Sequence, residues 1–154
     1  MVVLGISLGT RTTGIAIIHD KELLESRTLT VRMVKPGAHT EAFDHYIRQY
    51  SIGTVVLKVP PLIHITGKLK AILKRALKLF EYHGCLVQYR DTEAIKEAVP
   101  HIANKHDLMA YVTEHYPVLT PIRDKELLNK NKYHEKMFEA VVIAHLHDRE
   151  KNSP

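Results

Sequence analysis

The chain has 154 residues, with 22 Lys and Arg against 17 Asp and Glu, a formal charge of +5 with histidine neutral, and 45% apolar residues. That is the composition of one ordinary globular domain, read as residues 1–149 with a short tail at 150–154, which can bury roughly 70% of its unfolded surface without disulfides or a structural metal. The single cysteine, Cys85, excludes a disulfide framework and any C-x-x-C pair, and no apolar run approaches the ~20 residues needed to span a bilayer. With no secretion-signal pattern at the N-terminus, the expectation is a cytoplasmic protein without a membrane partner, whose positive charge and 11 histidines favour an anionic one.

The first elements are strands. Val2 to Leu8 is apolar and β-branched, Gly9-Thr10-Arg11 makes a turn, and Thr12 to His19 is a second apolar run, together a hairpin. Asp20-Lys21 supplies the next tight turn into a partly alternating third strand, Glu22 to Val31. After the break at Pro36-Gly37, Phe43, Tyr46 and Ile47 lie at helical spacing within Thr40 to Tyr50. Thr54 to Val59 is nearly all apolar, as in a central strand buried on both faces, and Pro60-Pro61 ends it. One residue breaks that pattern, Lys58.

From Thr66 to about His83 the set Leu69, Ile72, Leu73, Ala76, Leu77 and Phe80 follows the 3.6-residue period, with lysines and Arg75 filling much of the remainder. Gly84 closes this helix, Cys85 to Tyr89 is a fifth strand, and Asp91 or Thr92 caps a helix over Glu93 to Val99. Ala103 to Tyr116 is a further helix. Pro117 and Pro121 bracket an irregular stretch, and "RDKELLNKNKYHEK" is polar enough for a mobile surface connection. A last helix runs from Tyr133 to about His147, leaving "DREKNSP" as tail. The order predicts an α/β fold: a five-stranded mixed sheet, its first three strands a meander, flanked by helices on both faces.

The opening "LGISLGTRTTGIAII" resembles the first hairpin of the RuvC-like Holliday-junction resolvases, within the ribonuclease H-like superfamily, where the pattern is apolar–G–I–D–x–G–[ST]–x–x–x–G. Three further blocks resemble that family in order and spacing. "TVVLKVPPL" stands where the family's fourth strand ends in a glutamate, "VQYRDTEAIKEAV" resembles its next strand and turn-helix with a lysine at Lys96, and "HEKMFEAVVIAHLH" resembles its terminal A-x-x-x-A-H-x-H helix. Actin-like ATPases share the glycine turn, but they need two such domains.

The resemblance implies a ribonuclease H-like fold and, in active members, phosphodiester hydrolysis by two divalent cations ~4 Å apart and bridged by carboxylates. It also points to the four positions where the acids belong, and this chain departs at each. The first-strand aspartate falls on Ser7 and the fourth-strand glutamate on Lys58. Anchoring the last helix on Ala144 and His145 puts the two remaining aspartates at His134 and Met137. Serine is a poor ligand, methionine is too soft for magnesium, and the Lys58 ammonium repels divalent ions. Glu139 is the fallback acid, although in this frame it is turned away from the face shared by His134, Met137 and Val141.

Lys58 has two readings, a lysine reaching solvent from a strand end or an ammonium in the volume of the metals that pairs with phosphate. Thr10 and Arg11 sit either in a plain hairpin turn or in a turn lined with phosphate donors, and Gly14 leaves room for something to pack on the second strand. Arg90, Lys96 and Lys105 extend a positive surface suited to a nucleic-acid backbone, while the basic helix face of Lys68 to Lys78 reads as solvated or as a homodimer surface. His145 and His147 lie about 200° apart on a helix and cannot share an ion; His145 reads as a buried, hydrogen-bonded side chain. The sequence thus favours a protein that binds branched or duplex DNA without cutting it, homodimeric and with no metal or other cofactor. The alternatives are an active structure-specific endonuclease with a rebuilt Mg2+ site using Glu139, and a protein–protein scaffold.

Overall fold

The computed structural model describes residues 1–31 and 35–152; of the expected tail, Ser153 and Pro154 lie outside them. β1 (Val2–Ser7) pairs antiparallel with β2 (Thr12–His19), placing Ser7 opposite Gly14. β3 (Glu22–Thr30) joins β2 through Asp20 and Lys21, both at positive φ (46° and 68°), the two-residue turn whose twist suits a hairpin. β4 (Thr54–Lys58) lies parallel to β1 with Lys58 beside Ser7, and β5 (Leu86–Tyr89) lies parallel to β4. The strand order is β3-β2-β1-β4-β5, the expected mixed sheet.

Period-two alternation divides the core between the two faces of the sheet. Leu4, Ile6, Ile15, Ile17, Val55 and Leu57 meet Phe43 of α1 (Pro36–Tyr50) and Leu69, Ile72 and Phe80 of α2 (Gly67–Tyr82). Val3, Ala16, Ile18 and Val56 face the other way, toward α3 (Thr92–Ala98), α4 (Lys105–His115) and α6 (Glu135–Lys151). Local chemistry sets the helix ends: Thr66, Asp91 and Asn104 each accept a hydrogen bond from the backbone N–H three residues on. Gly84, at φ 70°, takes the left-handed position after α2.

Two stretches differ from the sequence reading. The polar segment expected as a mobile connection begins inside α5 (Thr120–Leu128), a helix with Pro121 in its first turn. The expected tail begins as helix, because α6 runs on to Lys151 and Asp148 is buried, accepting the Lys21 backbone N–H at 2.8 Å.

α6 lies directly on the sheet because its neighbours there are small. A Cβ at Gly14 would run into the Lys136 carbonyl, and one at Gly5 into the Ala140 carbonyl and the Ala144 methyl. Gly14 therefore does what its size suggested, letting a helix backbone rest on β2. That close approach brings the first two turns of α6 to the ends of β1 and β4.

Candidate functional site: a closed charge cluster beside a basic groove

The Ser7–Lys58 register puts a hydroxyl and an ammonium side by side where two parallel strands end, and α6 adds two side chains one helical turn apart. They are Glu139 and Lys136. Ser7 Oγ donates to Glu139 Oε1 at 3.0 Å, Lys136 Nζ reaches the same oxygen at 3.0 Å, and Lys58 Nζ lies 3.2 Å from Oε2. The cluster is nearly dry, with the side chains of Lys58 and Glu139 only 10% and 12% exposed. Burial pushes the Glu139 carboxyl up, but Lys136, Lys58 and the Ser7 hydroxyl outweigh it and hold the group below the usual glutamate range.

This arrangement corrects the sequence frame on α6. His134 lies at the helix N-cap with its ring Nδ1 2.8 Å from Thr28 Oγ1 on β3, and Met137 is buried in the apolar core. Neither reaches Ser7 or Lys58. Glu139, expected to be turned away, points inward, two residues past Met137, just as Lys136 lies two past His134. Lys58 is not the solvent-reaching lysine of the first reading, since it is buried with an internal carboxylate, Glu139, as its partner.

Beside the cluster runs a groove between the β1–β2 turn, the start of α4 and the connection from α5 to α6. Thr10, Arg11, Lys105, Lys130, Lys132 and Lys136 line it, together with Glu135. Five cationic side chains thus face one carboxylate. Lys105 pairs with Glu135 at 2.7 Å, and that carboxylate's hydrogen bond raises the Lys105 pKa. Among the described residues Arg11 and Lys130 carry no ion pair.

Of the expected backbone-contacting residues, then, Thr10, Arg11 and Lys105 come together. Lys96 is exposed on α3 and lines a small hollow with Lys105 and Glu139, one step removed from the groove. Arg90 does not join them, because its guanidinium holds both oxygens of Glu150 near the end of α6, at 2.9 and 2.8 Å. Sequence reasoning missed Lys130, Lys132 and Lys136. Their signal was the lysine density of "NKNKYHEK", present in the sequence but read as loose connection.

His145 is buried as expected, with Nε2 3.1 Å from the Tyr111 hydroxyl and Nδ1 2.8 Å from that of Tyr116. Burial and the neighbouring His115 lower its pKa to about 4. Among the described residues no three His, Cys, Asp or Glu side chains group as a metal site.

Comparison of the whole structure with solved proteins decides the fold. Thermus thermophilus RuvC in complex with a Holliday junction substrate matches with a TM-score of 0.72 and 16% identity, over 98% of this chain and 95% of that one. The fold is that of RuvC. The fowlpox virus Holliday junction resolvase shares it at a TM-score of 0.62 and 12% identity, over 97% of this chain and 99% of the viral one. So does the yeast mitochondrial Holliday junction resolvase Ydc2, at 0.60 and 8%, over 93% and 75%. No family model and no curated protein matches the sequence, so the likeness to RuvC lies in structure, and identities this low establish the fold alone. The RuvC-like sheet is the one outlined in the sequence, down to the antiparallel second strand.

Proposed function

We propose that this protein binds nucleic acid through the basic groove and does not hydrolyse it by two-metal chemistry. The observation that carries the second half is the saturation of Glu139, whose two oxygens are taken up by two ammonium groups and a hydroxyl. Magnesium sites need hard oxygen ligands, at least one or two of them carboxylates, and a metal pair needs carboxylates that bridge. Here one carboxylate stands between two lysines, and the cluster carries a net positive charge. This donor set does not fit a pair of divalent cations.

In this reading the four family positions are Ser7, Lys58, Lys136 and Glu139, so one acid is retained and three are replaced, and Lys58 and Lys136 act as counter-charges in the place of metals. The first half of the proposal is supported by the fold and the groove together. T. thermophilus RuvC and the fowlpox resolvase have been seen with Holliday junction substrates. A groove with five cations and one acid offers phosphates the sequence-independent attraction that dominates backbone binding. The protein requires no cofactor for this role.

The inward position of Glu139 is also what an active, rebuilt endonuclease would need, and one experiment separates the two readings. Purified protein is incubated with labelled four-way junction, duplex and single-stranded DNA, with Mg2+ or Mn2+ and with chelator. The expected result is salt-sensitive binding in both conditions and no new product. Divalent-dependent cleavage that disappears in Glu139→Gln would overturn the non-cleaving assignment. Absence of binding to all three DNAs at low salt would overturn the nucleic-acid assignment and leave a protein scaffold.

A further inference from the structure

Glu126, on the helix that the sequence did not announce, is a fully buried acid that the cluster does not use. Its carboxylate accepts the backbone N–H of Tyr133 at 3.1 Å and that of His134 as well, and its carbonyl oxygen accepts Lys132 Nζ at 2.6 Å and the Asn129 N–H at 3.2 Å. Desolvating a carboxylate completely is expensive unless its hydrogen bonds are made. This one spends them on the backbone of a single surface connection. Its charge also lies at the N-terminal end of α6, where the helix dipole favours an anion, and the N-cap residue His134 supplies no side-chain cap. The far side of the same connection is tied to β3, with Tyr133 Oη 3.0 Å from Thr30 Oγ1 and the His134 ring on Thr28. Between the two anchors Lys130, Asn131 and Lys132 stand exposed along the groove.

We propose that residues 129–133 form a preformed clamp for the phosphates of one nucleic-acid strand, and that Glu126 is the positioning residue that preforms it. The inference rests on the nucleic-acid reading above and deepens it by naming the loop that grips the backbone and the buried group that shapes it. A lysine-rich connection of this kind would ordinarily be left to solvent, and ordering it on binding would cost affinity for each long side chain immobilised. Glu126 meets part of that cost during folding. The proposal carries a sign that electrostatics alone does not. Replacing a carboxylate near the groove by an amide removes a negative charge and, by Coulomb's law, should tighten DNA binding. Loss of the clamp's shape should weaken it.

The test compares four proteins by fluorescence anisotropy on a labelled duplex across a salt series: wild type, Lys130→Ala/Lys132→Ala, Glu126→Gln, and Lys70→Ala/Lys74→Ala on the exposed face of α2 as a control with the same charge change. The clamp predicts that Lys130→Ala/Lys132→Ala makes the log–log salt slope shallower by about 1.8, at about 0.9 per phosphate contact on duplex, while the α2 control keeps the wild-type slope. Glu126→Gln is expected to bind about tenfold more weakly despite its added positive charge, with faster hydrogen exchange at the Tyr133 and His134 amides at a temperature where it remains folded. A residue that only held the fold together would lower the melting temperature and leave the binding of the folded protein as tight as wild type or tighter. Equal slopes for the loop variant and the control overturn the clamp. Undiminished binding by Glu126→Gln overturns the positioning role. Absence of wild-type binding overturns the underlying function as well, an outcome distinct from both.

Discussion

Removing Glu139 tests whether its cluster is a closed structural unit or a weakened metal site. In a site built to hold cations, carboxylates crowd and repel one another, so deleting one relieves strain and leaves stability unchanged or higher. In the cluster described above, Glu139→Ala strands the Lys58 ammonium with a side chain only 10% exposed. Breaking a buried pair by removing one partner costs ~3–5 kcal/mol, and the Ser7 hydroxyl loses its acceptor for about 1 kcal/mol more. Lys136, whose side chain is 27% exposed, can turn outward and adds little. For a chain of this length each kcal/mol moves the melting temperature by about 2–4 °C, so the loss should be about 10–20 °C by calorimetry at neutral pH. Lys58→Met combined with Glu139→Leu should recover most of it, because replacing both ions by apolar groups is often neutral or better. The effect also has a pH signature. The Glu139 carboxyl lies below its ordinary value when folded, so its stabilisation is complete above the unfolded carboxyl pKa and is lost as the pH falls through the folded one. Below that point wild type and Glu139→Ala should converge. A Glu139→Ala protein as stable as wild type at neutral pH would refute the closed-cluster reasoning.

Three other outcomes follow from the same geometry. Gly14→Ala must displace α6 at Lys136 and should cost ~1–3 kcal/mol or more in chemical denaturation; a neutral result would mean that the helix does not rest on β2. The triple change Ser7→Asp, Lys58→Glu and Lys136→Asp surrounds Glu139 with carboxylates and should create a divalent-cation site, read as a Mn2+-dependent rise in melting temperature. At a hundredfold excess over Kd the gain is about 2.7 kcal/mol, and no response would show that these are not the four equivalent positions. His145 is held neutral by burial, with a folded pKa of about 4. The unfolded chain takes up a proton near 6.5, so stability should fall as the pH drops from about 6.5 toward 4, by up to ~1.4 kcal/mol per pH unit. His145→Gln should flatten that window.

The parts of this fold that were readable were those in which local chemistry and burial agree. Apolar or alternating runs bounded by glycines, prolines and a two-residue turn became five strands, and Thr66, Asp91 and Gly84 marked helix ends that the structure keeps. α5 was not readable because a helix that buries only Glu126 among its nine residues has no apolar stripe to detect. What holds it includes the proline of its first turn, the half-buried Ile122 against the core, Arg123 on Thr113 and one acid's bonds to a distant backbone, and none of these makes a hydropathy pattern. The site was lost for a different reason. Met137 to Asp148 are all buried, so the last helix is lined with partners on every side and its sequence carries no amphipathic phase. Nothing in periodicity could then say whether Met137 or Glu139 faces β1; in the structure Glu139 meets Ser7 and Lys58 while Met137 lies in the core. Packing sets the phase, through Gly14 beneath Lys136 and Gly5 beneath Ala140.

Lys136 belongs to both halves of the proposed function. Its ammonium is bound to Glu139 while its side chain lines the groove, with its Cε closely packed at Gly9. The two lysines on Glu139 are therefore unequal. Lys58 rises from a central strand into a dry interior and has nowhere else to go, whereas Lys136 sits at the rim. If a phosphate in the groove drew Lys136 away, Glu139 and Lys58 would remain as a one-to-one pair with Ser7 still donating, so no buried charge would be left without a partner. The same withdrawal from a site with Lys136 as sole counter-ion would strand a carboxylate at a cost of several kcal/mol. Under the proposed function, the second ammonium on β4 would free the first to serve the groove, and Lys58 would then support anion binding without any contact with the anion.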